Sequence, residues 1–362
     1  MTPSHQILVG DCLELLRQMP DQSVHCCVTS PPYFGLRDYG VDGQIGLEET
    51  PAEFIARLVE VFREVRRVLR DDGTCWVNMG DSYASKPNGP LGAGGHTTDK
   101  PHVAVRTAHA RRSSRIPGGF KHKDLMGMPW RLAFALQDDG WYLRQDIIWH
   151  KPNPMPESIR DRCTKAHEYL FLLSKSRQYY FDQAAISEPL APASVERLAQ
   201  QGWDEQEGSD RVPGKTNGAM KAVGGKRSKR YSFARETKAT SGERGQKGQH
   251  RPDRPDIDYS DKRNKRSVWS VATVGFKGAH FATFPPELIR PCILAGAPRG
   301  GLVLDPFGGA GTTGLVAMQE GRRSILCELN SGYAEIARAR LTTAWIEGAA
   351  QLDIFNDSKE ST

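Results

Sequence analysis

The sequence predicts an α/β fold with a Rossmann-like sheet that is interrupted by two basic insertions. Three observations carry this prediction. Apolar runs of strand length alternate with amphipathic helical segments near both ends of the chain. A glycine-rich loop connects a strand to a helix within 302–319. Two long stretches between these ends lack periodicity and are rich in Lys and Arg. The 362 residues suffice for one large domain with insertions or for two domains.

The first third of the chain alternates strands and helices. Apolar residues at a spacing of three and four identify a long amphipathic helix, and short apolar runs flank it. We expect Asp71-Asp72-Gly73 to end that helix. The predicted elements are a strand at Ile7–Asp11 that ends in a turn, a helix at Cys12–Met19, a strand at Val24–Val28, a helix at Pro51–Leu69 and a strand at Thr74–Met79.

The remaining elements follow from the same patterns. Proline in the first helical turn favours a helix that starts at Pro286. The predicted elements are a helix from Met128 to Leu136, strands at Trp141–Trp149 and His167–Leu173 with Tyr179–Phe181 as a candidate for one more, a helix at Pro286–Leu294, a strand at Leu302–Leu304, a helix at Gly314–Gln319 and a strand at Arg323–Cys327.

A proline-stiffened loop, Thr29-Ser30-Pro31-Pro32-Tyr33, follows the strand at Val24–Val28. Two prolines cannot continue the strand, because each lacks an N–H donor and fixes φ. The loop therefore leaves the sheet with a hydroxyl, an aromatic ring and backbone carbonyls. These groups can hold a flat heterocycle that bears an amino group, with the ring for stacking and the oxygens as acceptors.

Ser30-Pro31-Pro32-Tyr33 resembles the catalytic motif of the DNA amino-methyltransferases, in the form usual for cytosine-N4 enzymes. The adenine-N6 enzymes more often carry Asp or Asn at the place of Ser30. The resemblance implies that all four residues are catalytic. Tyr33 would stack on the target base, while the Ser30 side chain and the Pro31 carbonyl would accept hydrogen bonds from its amine.

The second motif lies near the other end of the chain. A strand, a glycine loop that begins at Asp305, a helix, a strand and then Glu328 follow one another, as in nucleotide-type cofactor sites. Glu328 stands where a carboxylate would take two ribose hydroxyls. The loop is not G-x-G-x-x-G, and no Lys-Ser/Thr follows it, which argues against a dinucleotide site and a phosphate-binding P-loop.

Asp-x-Phe-x-Gly-x-Gly at 305–311 resembles the S-adenosylmethionine loop of the same enzymes. The resemblance implies that Asp305 faces the methionine end of the cofactor and that Phe307 lies beside the sulfonium. His280 and Phe284 resemble an additional cofactor motif. Asp11 follows a strand where the family approaches the cofactor, but a helix N-cap explains it equally well. The cofactor residues are thus Asp11, His280, Phe284, Asp305, Phe307, Gly308, Gly309, Gly311, Thr312, Thr313 and Glu328.

The order of the motifs, catalytic loop first and cofactor loop last, resembles the β group of these enzymes. It implies that 1–184 and 268–350 together form the catalytic domain. The segment 185–267 would then be a basic target-recognition insertion, 84–123 a basic mobile loop, and 351–362 a tail.

The charge distribution predicts a polyanionic partner. The chain carries a net charge of +6, but 211–266 alone holds 17 Lys/Arg against 6 Asp/Glu, and 84–123 holds eight against one. Basic segments with interspersed aromatic residues, such as Trp203 and Tyr231, are typical of nucleic-acid surfaces. Together with the resemblance to the DNA amino-methyltransferases, these segments imply double-stranded DNA as the partner.

Several alternatives are weighed against a cytosine-N4 methyltransferase. Adenine-N6 methylation is the first of them, and a DNA-binding protein without turnover comes next. Cytosine-C5 enzymes attack through a Pro-Cys thiolate, but Pro291-Cys292 lies in an apolar helix before the cofactor loop, so Cys292 is read as core, like Cys26 and Cys27. The histidines show no ligand spacing, so no metal is expected.

The expected setting is the cytoplasm of a bacterium or a phage-infected cell. The chain shows no signal peptide and no apolar run of membrane-spanning length, and its seven cysteines form no C-x-x-C pair, which favours reduced thiols. The resemblance further implies a restriction-modification system with a cognate endonuclease. A monomer and a homodimer are both compatible with the sequence.

Overall fold

The computed structural model describes residues 4–36, 40–84, 119–191, 262–273 and 284–360, with the backbone alone from 347 onward. The chain divides into two compact units, Met1–Ala185 with Arg266–Thr362, and Ile186–Lys265. Both loops identified from the sequence belong to the first unit. The second unit is described only at its two ends, which pair as short antiparallel strands.

Ten strands are described. They are β1 (His5–Val9), β2 (Val24–Thr29), β3 (Leu69–Met79), β4 (Tyr142–His150), β5 (His167–Ser174), β6 (Glu188–Pro189), β7 (Lys262–Arg263), β8 (Val268–Ser270), β9 (Leu302–Asp305) and β10 (Arg323–Glu328). Eight of them form one sheet in the order β1-β10-β9-β2-β3-β5-β4-β8. The first five run parallel, and β5 is antiparallel to both β3 and β4.

Six α-helices are described, and they cover the two faces of this sheet. They are α1 (Cys12–Arg17), α2 (Pro51–Val68), α3 (Met128–Asp138), α4 (Pro286–Gly296), α5 (Thr312–Gln319) and α6 (Ser331–Glu360). Contacts connect α1 with α2 and α2 with α3, while α4 contacts α5 and α5 contacts α6. The first three helices form one layer and the last three the other, as is usual for a parallel sheet.

The longest fully described helix, α2, shows why the sequence folds as predicted here. Thr50 accepts a hydrogen bond from the Glu53 N–H, and the Glu53 side chain accepts one from the Thr50 N–H, so both orphan donors are satisfied. Its apolar stripe is fully buried against the sheet and includes Phe54, Leu58, Val61, Phe62 and Val65. The amphipathic spacing therefore identified the face that packs into the core.

The strand order creates a ligand site between β9 and β2. From β9 the chain continues through α5 to β10 on one side, whereas from β2 it continues through α2 to β3 on the other side. Loops that follow two strands with such opposite exits diverge and leave a crevice at the carboxyl edge of the sheet. The loops concerned begin at Ser30 and Pro306.

Two predictions of secondary structure are wrong in the middle of the chain, one a helix end and one a candidate strand. Helix α2 ends at Val68, and β3 begins at once at Leu69, so Asp71-Asp72-Gly73 lies within the strand. A register shift between Val24 and Cys26 of β2 accommodates these polar residues. Tyr179–Phe181 does not form a strand; Tyr180 makes a single backbone hydrogen bond, to Asp72 O at 2.8 Å.

The predicted tail at 351–362 is helical over its described part, because α6 extends to Glu360. The predictions for 84–123 and 185–267 fall largely on 85–118 and 192–261, outside the described residues, so they stay predictions. None of the helices in the described part of the chain has the length and apolar character needed to cross a membrane.

Candidate active site

A cavity of about 650 Å³ opens at the carboxyl edge of the sheet. Its volume lies in the range of about 300–1,000 Å³ that is typical of cofactor and small-molecule sites. Twelve of the residues predicted from the sequence line it: Asp11, Ser30, Pro31, Pro32, Tyr33, Phe284, Asp305, Phe307, Gly308, Gly309, Thr312 and Glu328. The structure therefore brings the catalytic loop and the cofactor loop, from opposite ends of the chain, into one site.

The catalytic loop leaves the sheet directly after β2. Ser30 is half-buried and Pro31 is buried, as expected for a stiff loop at a sheet edge. Phe34 anchors the far end of the loop by packing on Phe54 of α2, with ring centroids 5.4 Å apart. The loop therefore presents Ser30, Pro32 and Tyr33 to the cavity from two fixed ends.

Asp305 ties the two loops together. Its carboxylate accepts hydrogen bonds from the Thr29 hydroxyl at 2.6 Å, the Thr313 hydroxyl at 2.6 Å and the Phe307 N–H at 3.0 Å. The residue is only 2% exposed, and burial raises the pKa of its carboxyl while these hydrogen bonds act in the opposite direction. Because Thr29 ends β2 and Asp305 ends β9, this carboxylate fixes the spacing of the two strand ends.

The bonding of Asp305 leaves room for a ligand. A carboxylate offers about four acceptor positions. The contacts among the described residues occupy two on Oδ1 and one on Oδ2. A donor in the cavity can therefore bind Oδ2 without displacing a protein group.

Glu328 ends β10 and faces the same cavity. Oε2 accepts from the Gly309 N–H at 2.7 Å, and Oε1 accepts from the Asn330 N–H at 2.8 Å. Burial raises the pKa of the Glu328 carboxyl, and these two N–H groups oppose the shift. Each oxygen keeps one backbone bond and can accept a second donor, which suits a pair of neighbouring hydroxyls.

Asp11 caps a helix and also borders the cavity. Its Oδ1 caps α1 by accepting from the N–H groups of Leu13 and Glu14, at 2.9 and 3.1 Å. The residue also lines the cavity. A helix cap and a place at the cofactor edge are therefore compatible.

Two predicted cofactor residues lie behind the cavity wall instead of in it. Thr313 is fully buried, and its hydroxyl donates to Asp305. Gly311 has a φ of +79°, and a Cβ there would lie 2.9 Å from the Ala337 Cβ of α6, so glycine allows both the turn and the helix contact. Both residues shape the loop without lining the cavity. His280 lies outside the described residues.

The structure adds residues that sequence reasoning missed. Asn78, Trp149, Lys151 and Glu168 line the cavity on the side of Tyr33. They come from β3, β4, the loop after β4 and β5. The available signal was their place at predicted strand ends, but no compact motif links them.

The thiols are arranged as the sequence predicted. Six of the seven cysteines, all except Cys163, are buried. Cys292 is 0% exposed within α4, and Cys26 and Cys27 are equally inaccessible in β2. The reading of these three as core residues is confirmed, and a Cys292 thiolate has no path to a substrate in the cavity.

The sequence profile of the N6/N4-type DNA methylase family matches residues 24–339. The chain belongs to this family. The methylase is 45% identical to the type II methyltransferase M.Cfr9I of Citrobacter freundii, over 92% of this chain and 86% of that protein. It is 41% identical to M.SmaI of Serratia marcescens, over 93% and 91% of the two chains.

Solved structures share the fold of the methylase. A DNA modification methylase of Thermus thermophilus, complexed with S-adenosyl-L-methionine, superposes with a TM-score of 0.50 at 21% identity, over 94% and 95% of the two chains. The cytosine-N4-specific PvuII DNA methyltransferase gives a TM-score of 0.54 at 17% identity, over 95% and 93%. The predicted Rossmann-like methyltransferase fold is therefore confirmed.

S-adenosylmethionine is the methyl donor of this family, and the cavity suits it. The molecule carries an amino-acid end with a cationic amine, a sulfonium and a ribose with two hydroxyls. The cavity offers Oδ2 of Asp305 for a cationic donor, the Phe307 ring for an apolar contact and the Glu328 carboxylate for hydroxyls. The residues present therefore fit the cofactor.

Proposed function

We propose that this methylase transfers a methyl group from S-adenosylmethionine to the exocyclic amine of cytosine (N4), at specific sites in double-stranded DNA. Ser30 is the observation that carries the choice of base. It opens the loop at the cavity, where the adenine-N6 enzymes more often carry an acidic or amide residue. The short distance between this loop and the cofactor loop, bridged by Thr29 and Asp305, supports direct transfer.

The catalytic loop works by positioning. Tyr33 stacks on the target base, and the Ser30 hydroxyl and the Pro31 carbonyl accept hydrogen bonds from its amine. These bonds direct the nitrogen lone pair away from the loop and toward the cofactor. When bound, the cofactor supplies an electrophilic methyl group on a sulfonium. Geometry and electrostatics can carry such an in-line reaction, in which the amine gains the methyl group and the sulfonium would leave as a neutral thioether. The loop needs no strong base before attack, because the methylated amine is cationic and loses its proton to solvent afterwards.

The cofactor residues have separate tasks in this proposal. Asp305 receives the amine of the methionine end at Oδ2, Phe307 lies against the sulfonium, and Glu328 accepts both ribose hydroxyls. Asp11, Gly308, Gly309, Thr312 and Phe284 complete the wall around the cofactor. His280, if it matches the family's additional motif, holds the methionine carboxylate.

Duplex DNA must release the target base before this site can reach it. Enzymes that modify bases rotate the nucleotide out of the stack at a cost of a few kcal/mol. The basic segments 84–123 and 185–267 are proposed to bind the DNA backbone and to choose the site. If they make about 6–10 phosphate contacts, affinity should fall by about 10³–10⁵ between about 50 and 200 mM salt.

The named relatives are type II methyltransferases, which supports a place in a restriction-modification system. We infer that a cognate endonuclease recognises the same DNA sequence and that methylation protects that sequence from cleavage. The proposal is compatible with a monomer and with a homodimer.

The test is mass analysis of nucleosides from DNA of cells that express the protein. N4-methylcytosine is the expected product, and the mapped positions would give the recognition site. A chain with Ser30→Ala is the control, and its DNA should carry far less of the product.

Adenine-N6 methylation is the second candidate, since both bases present an aromatic amine to the same loop. N6-methyladenine as the only product would retain the fold, the cofactor and the mechanism, and would show that Ser30 does not select the base. If folded protein that binds S-adenosylmethionine makes neither methylated base, the result would favour a DNA-binding protein without turnover.

A further inference from the structure

The Tyr33 hydroxyl belongs to a hydrogen-bond network of charged and polar side chains. It donates to Glu168 Oε2 at 2.7 Å. The same oxygen accepts from Asn78 Nδ2 at 3.2 Å, and Glu168 Oε1 accepts from Lys151 Nζ at 2.5 Å. Three side chains, from the catalytic loop, β3 and the loop after β4, therefore donate to one carboxylate of β5 beside the catalytic loop.

The sheet fixes the members of this network independently of the catalytic loop. Asn78 lies in β3 and also donates to Tyr169 O of β5, at 3.1 Å. Glu168 lies in β5 opposite Trp149 of β4 in the strand register. Lys151 follows β4, and its Nζ lies 4.4 Å from the centre of the Trp149 ring. The carboxylate is therefore held on both sides before Tyr33 reaches it.

Gly80 provides the space for this contact. A Cβ at this position would lie 2.7 Å from Tyr33 Cε2 and 3.2 Å from Glu168 Cδ. Both neighbours are parts of the network, so neither can move away without breaking the hydrogen bond. Glycine at the end of β3 allows the tyrosine ring and the carboxylate to meet.

We propose that Glu168, held in place by Lys151 and Asn78, is the positioning residue of the methyl-transfer site. It fixes the hydroxyl of Tyr33 and thereby the plane of the ring on which the flipped base stacks. This role deepens the proposed function and rests on it, because it concerns the same loop and the same base. Lys151 acts one step further away by fixing the carboxylate.

A structural role alone explains this ion pair poorly. The side chains of Lys151 and Glu168 are 19% and 15% exposed, so both charges have lost most of their water. Such pairs contribute little net stability, and apolar residues of similar volume often replace them without loss. A carboxylate at the wall of the cavity is better explained by its contact with the catalytic loop.

The protonation of Tyr33 agrees with this arrangement. Burial raises the pKa of the Tyr33 hydroxyl well above its ordinary value, and the charge of Glu168 and the hydrogen bond to it raise the pKa further. A hydrogen bond with Ser30 acts in the opposite direction. The hydroxyl therefore stays a neutral donor to Glu168 at the pH values at which the enzyme works.

The test is a double-mutant cycle with Tyr33→Phe and Glu168→Ala, measured on duplex DNA at saturating cofactor. Either change removes the same hydrogen bond, so we expect each to lower kcat about 10- to 100-fold, the range for a hydrogen bond to a charged group. The double variant should be no slower than the slower single variant. Glu168→Gln keeps an acceptor for Tyr33 and should recover most of the lost kcat.

A matched control separates positioning from stability. Asp139 also forms an ion pair, with Arg63, and its side chain is 13% exposed, but it does not line the cavity. Asp139→Ala should leave kcat within about twofold of the wild type, whatever it does to the unfolding midpoint. The Kd of S-adenosylmethionine should be unchanged in the Tyr33 and Glu168 variants, because neither residue is proposed to bind the cofactor.

Two outcomes would overturn the role of Glu168. One is multiplicative loss, with the double variant slower by the product of the single effects. The other is an unchanged kcat in folded Glu168→Ala. Wild-type protein runs in the same assay, and a wild type that makes no methylated base would overturn the proposed function instead. The two failures are thus distinguishable.

Discussion

The two walls of the cavity are built in different ways. We call Asp11, Asp305, Phe307 and Glu328 the cofactor wall, and Tyr33, Asn78, Lys151 and Glu168 the tyrosine wall. In the cofactor wall, most hydrogen bonds join a carboxylate to backbone N–H groups within a few positions or in the adjacent loop. In the tyrosine wall, side chains from two strands and two loops bond to one another.

This difference predicts which properties, among stability, cofactor binding and turnover, depend on each wall. Carboxylates that satisfy backbone donors also hold the loops, so damage to the cofactor wall should affect stability and cofactor binding together. The tyrosine wall is supported by the pairing of β3, β4 and β5, which does not depend on its side chains. Damage there should affect turnover with little effect on cofactor binding.

The largest effect is expected for Asp305→Ala. The change leaves the buried Thr29 and Thr313 hydroxyls without their acceptor, at about 1–3 kcal/mol for each unsatisfied group. We expect the free energy of unfolding to fall by about 2–5 kcal/mol in urea titrations. Binding of S-adenosylmethionine, followed by calorimetry, should be lost.

The control for this variant is Asp161→Ala, which removes an exposed ion pair with Lys123. It should leave the free energy of unfolding close to that of the wild type, because exposed ion pairs are well screened by solvent. If Asp305→Ala were as stable as this control, the bridge between the two strand ends would not carry the stability assigned to it.

The next effect concerns the tyrosine side of the cavity. Ser30→Ala removes an acceptor for the target amine but leaves the backbone of the loop intact. We expect kcat to fall by about 100-fold, as for the loss of one preorganised hydrogen bond at a reacting centre. The Kd values for DNA and for S-adenosylmethionine should stay within about twofold. Equal losses in turnover and DNA binding would contradict the catalytic role of Ser30.

The comparison also shows what the sequence can reveal. The cofactor wall was predicted almost residue by residue, because Asp305, Phe307 and the glycines form one contiguous motif and Glu328 ends the next strand. Gly311 and Thr313 were assigned to the ligand since a motif does not distinguish lining residues from those behind them. Glu168 was missed because its meaning depends on strand pairing: only the order β3-β5-β4 brings it to Asn78 and Lys151.

The secondary-structure predictions that differ from the structure do so for a similar reason. The polar residues Asp71-Asp72-Gly73 are typical of a turn, but pairing between Leu69 and Val24 extends β3 back to the end of α2. Tyr179–Phe181 has the composition of a strand, but it meets the sheet at Asp72 of β3, and β3 already pairs with β2 on one side and β5 on the other. Helix α6 was not predicted as a unit, although its N-terminal half covers the glycine loop through Arg340 and Ala337.

A smaller effect is expected for Glu328→Gln. In the wild type, the N–H groups of Gly309 and Asn330 bond to different oxygens of Glu328. The amide of the variant offers only one acceptor oxygen for both. One backbone donor and one proposed ribose contact are therefore lost. We expect the affinity for S-adenosylmethionine to fall about tenfold, with kcat at saturating cofactor unchanged. A change in kcat without a change in cofactor affinity would contradict the proposed contact between Glu328 and the cofactor.

The smallest effect lies in the pH dependence of stability, and it isolates the charge of Asp305 from its shape. Burial raises the pKa of this carboxyl above its ordinary value. Between the pKa of the unfolded state and that of the folded state, the native protein therefore binds more protons than the unfolded chain, so the free energy of unfolding falls as the pH rises through that window.

Asp305→Asn retains the size of the side chain and an acceptor for Thr29, but it cannot titrate. In urea titrations from about pH 4 to about pH 8, the stability of the variant should therefore improve relative to the wild type as the pH rises. Glu328 titrates in both proteins, but the charge of Asp305 is one cause of its raised pKa, so the loss of that charge shifts the difference in the same direction. Parallel curves would mean that Asp305 keeps its ordinary pKa in the folded chain.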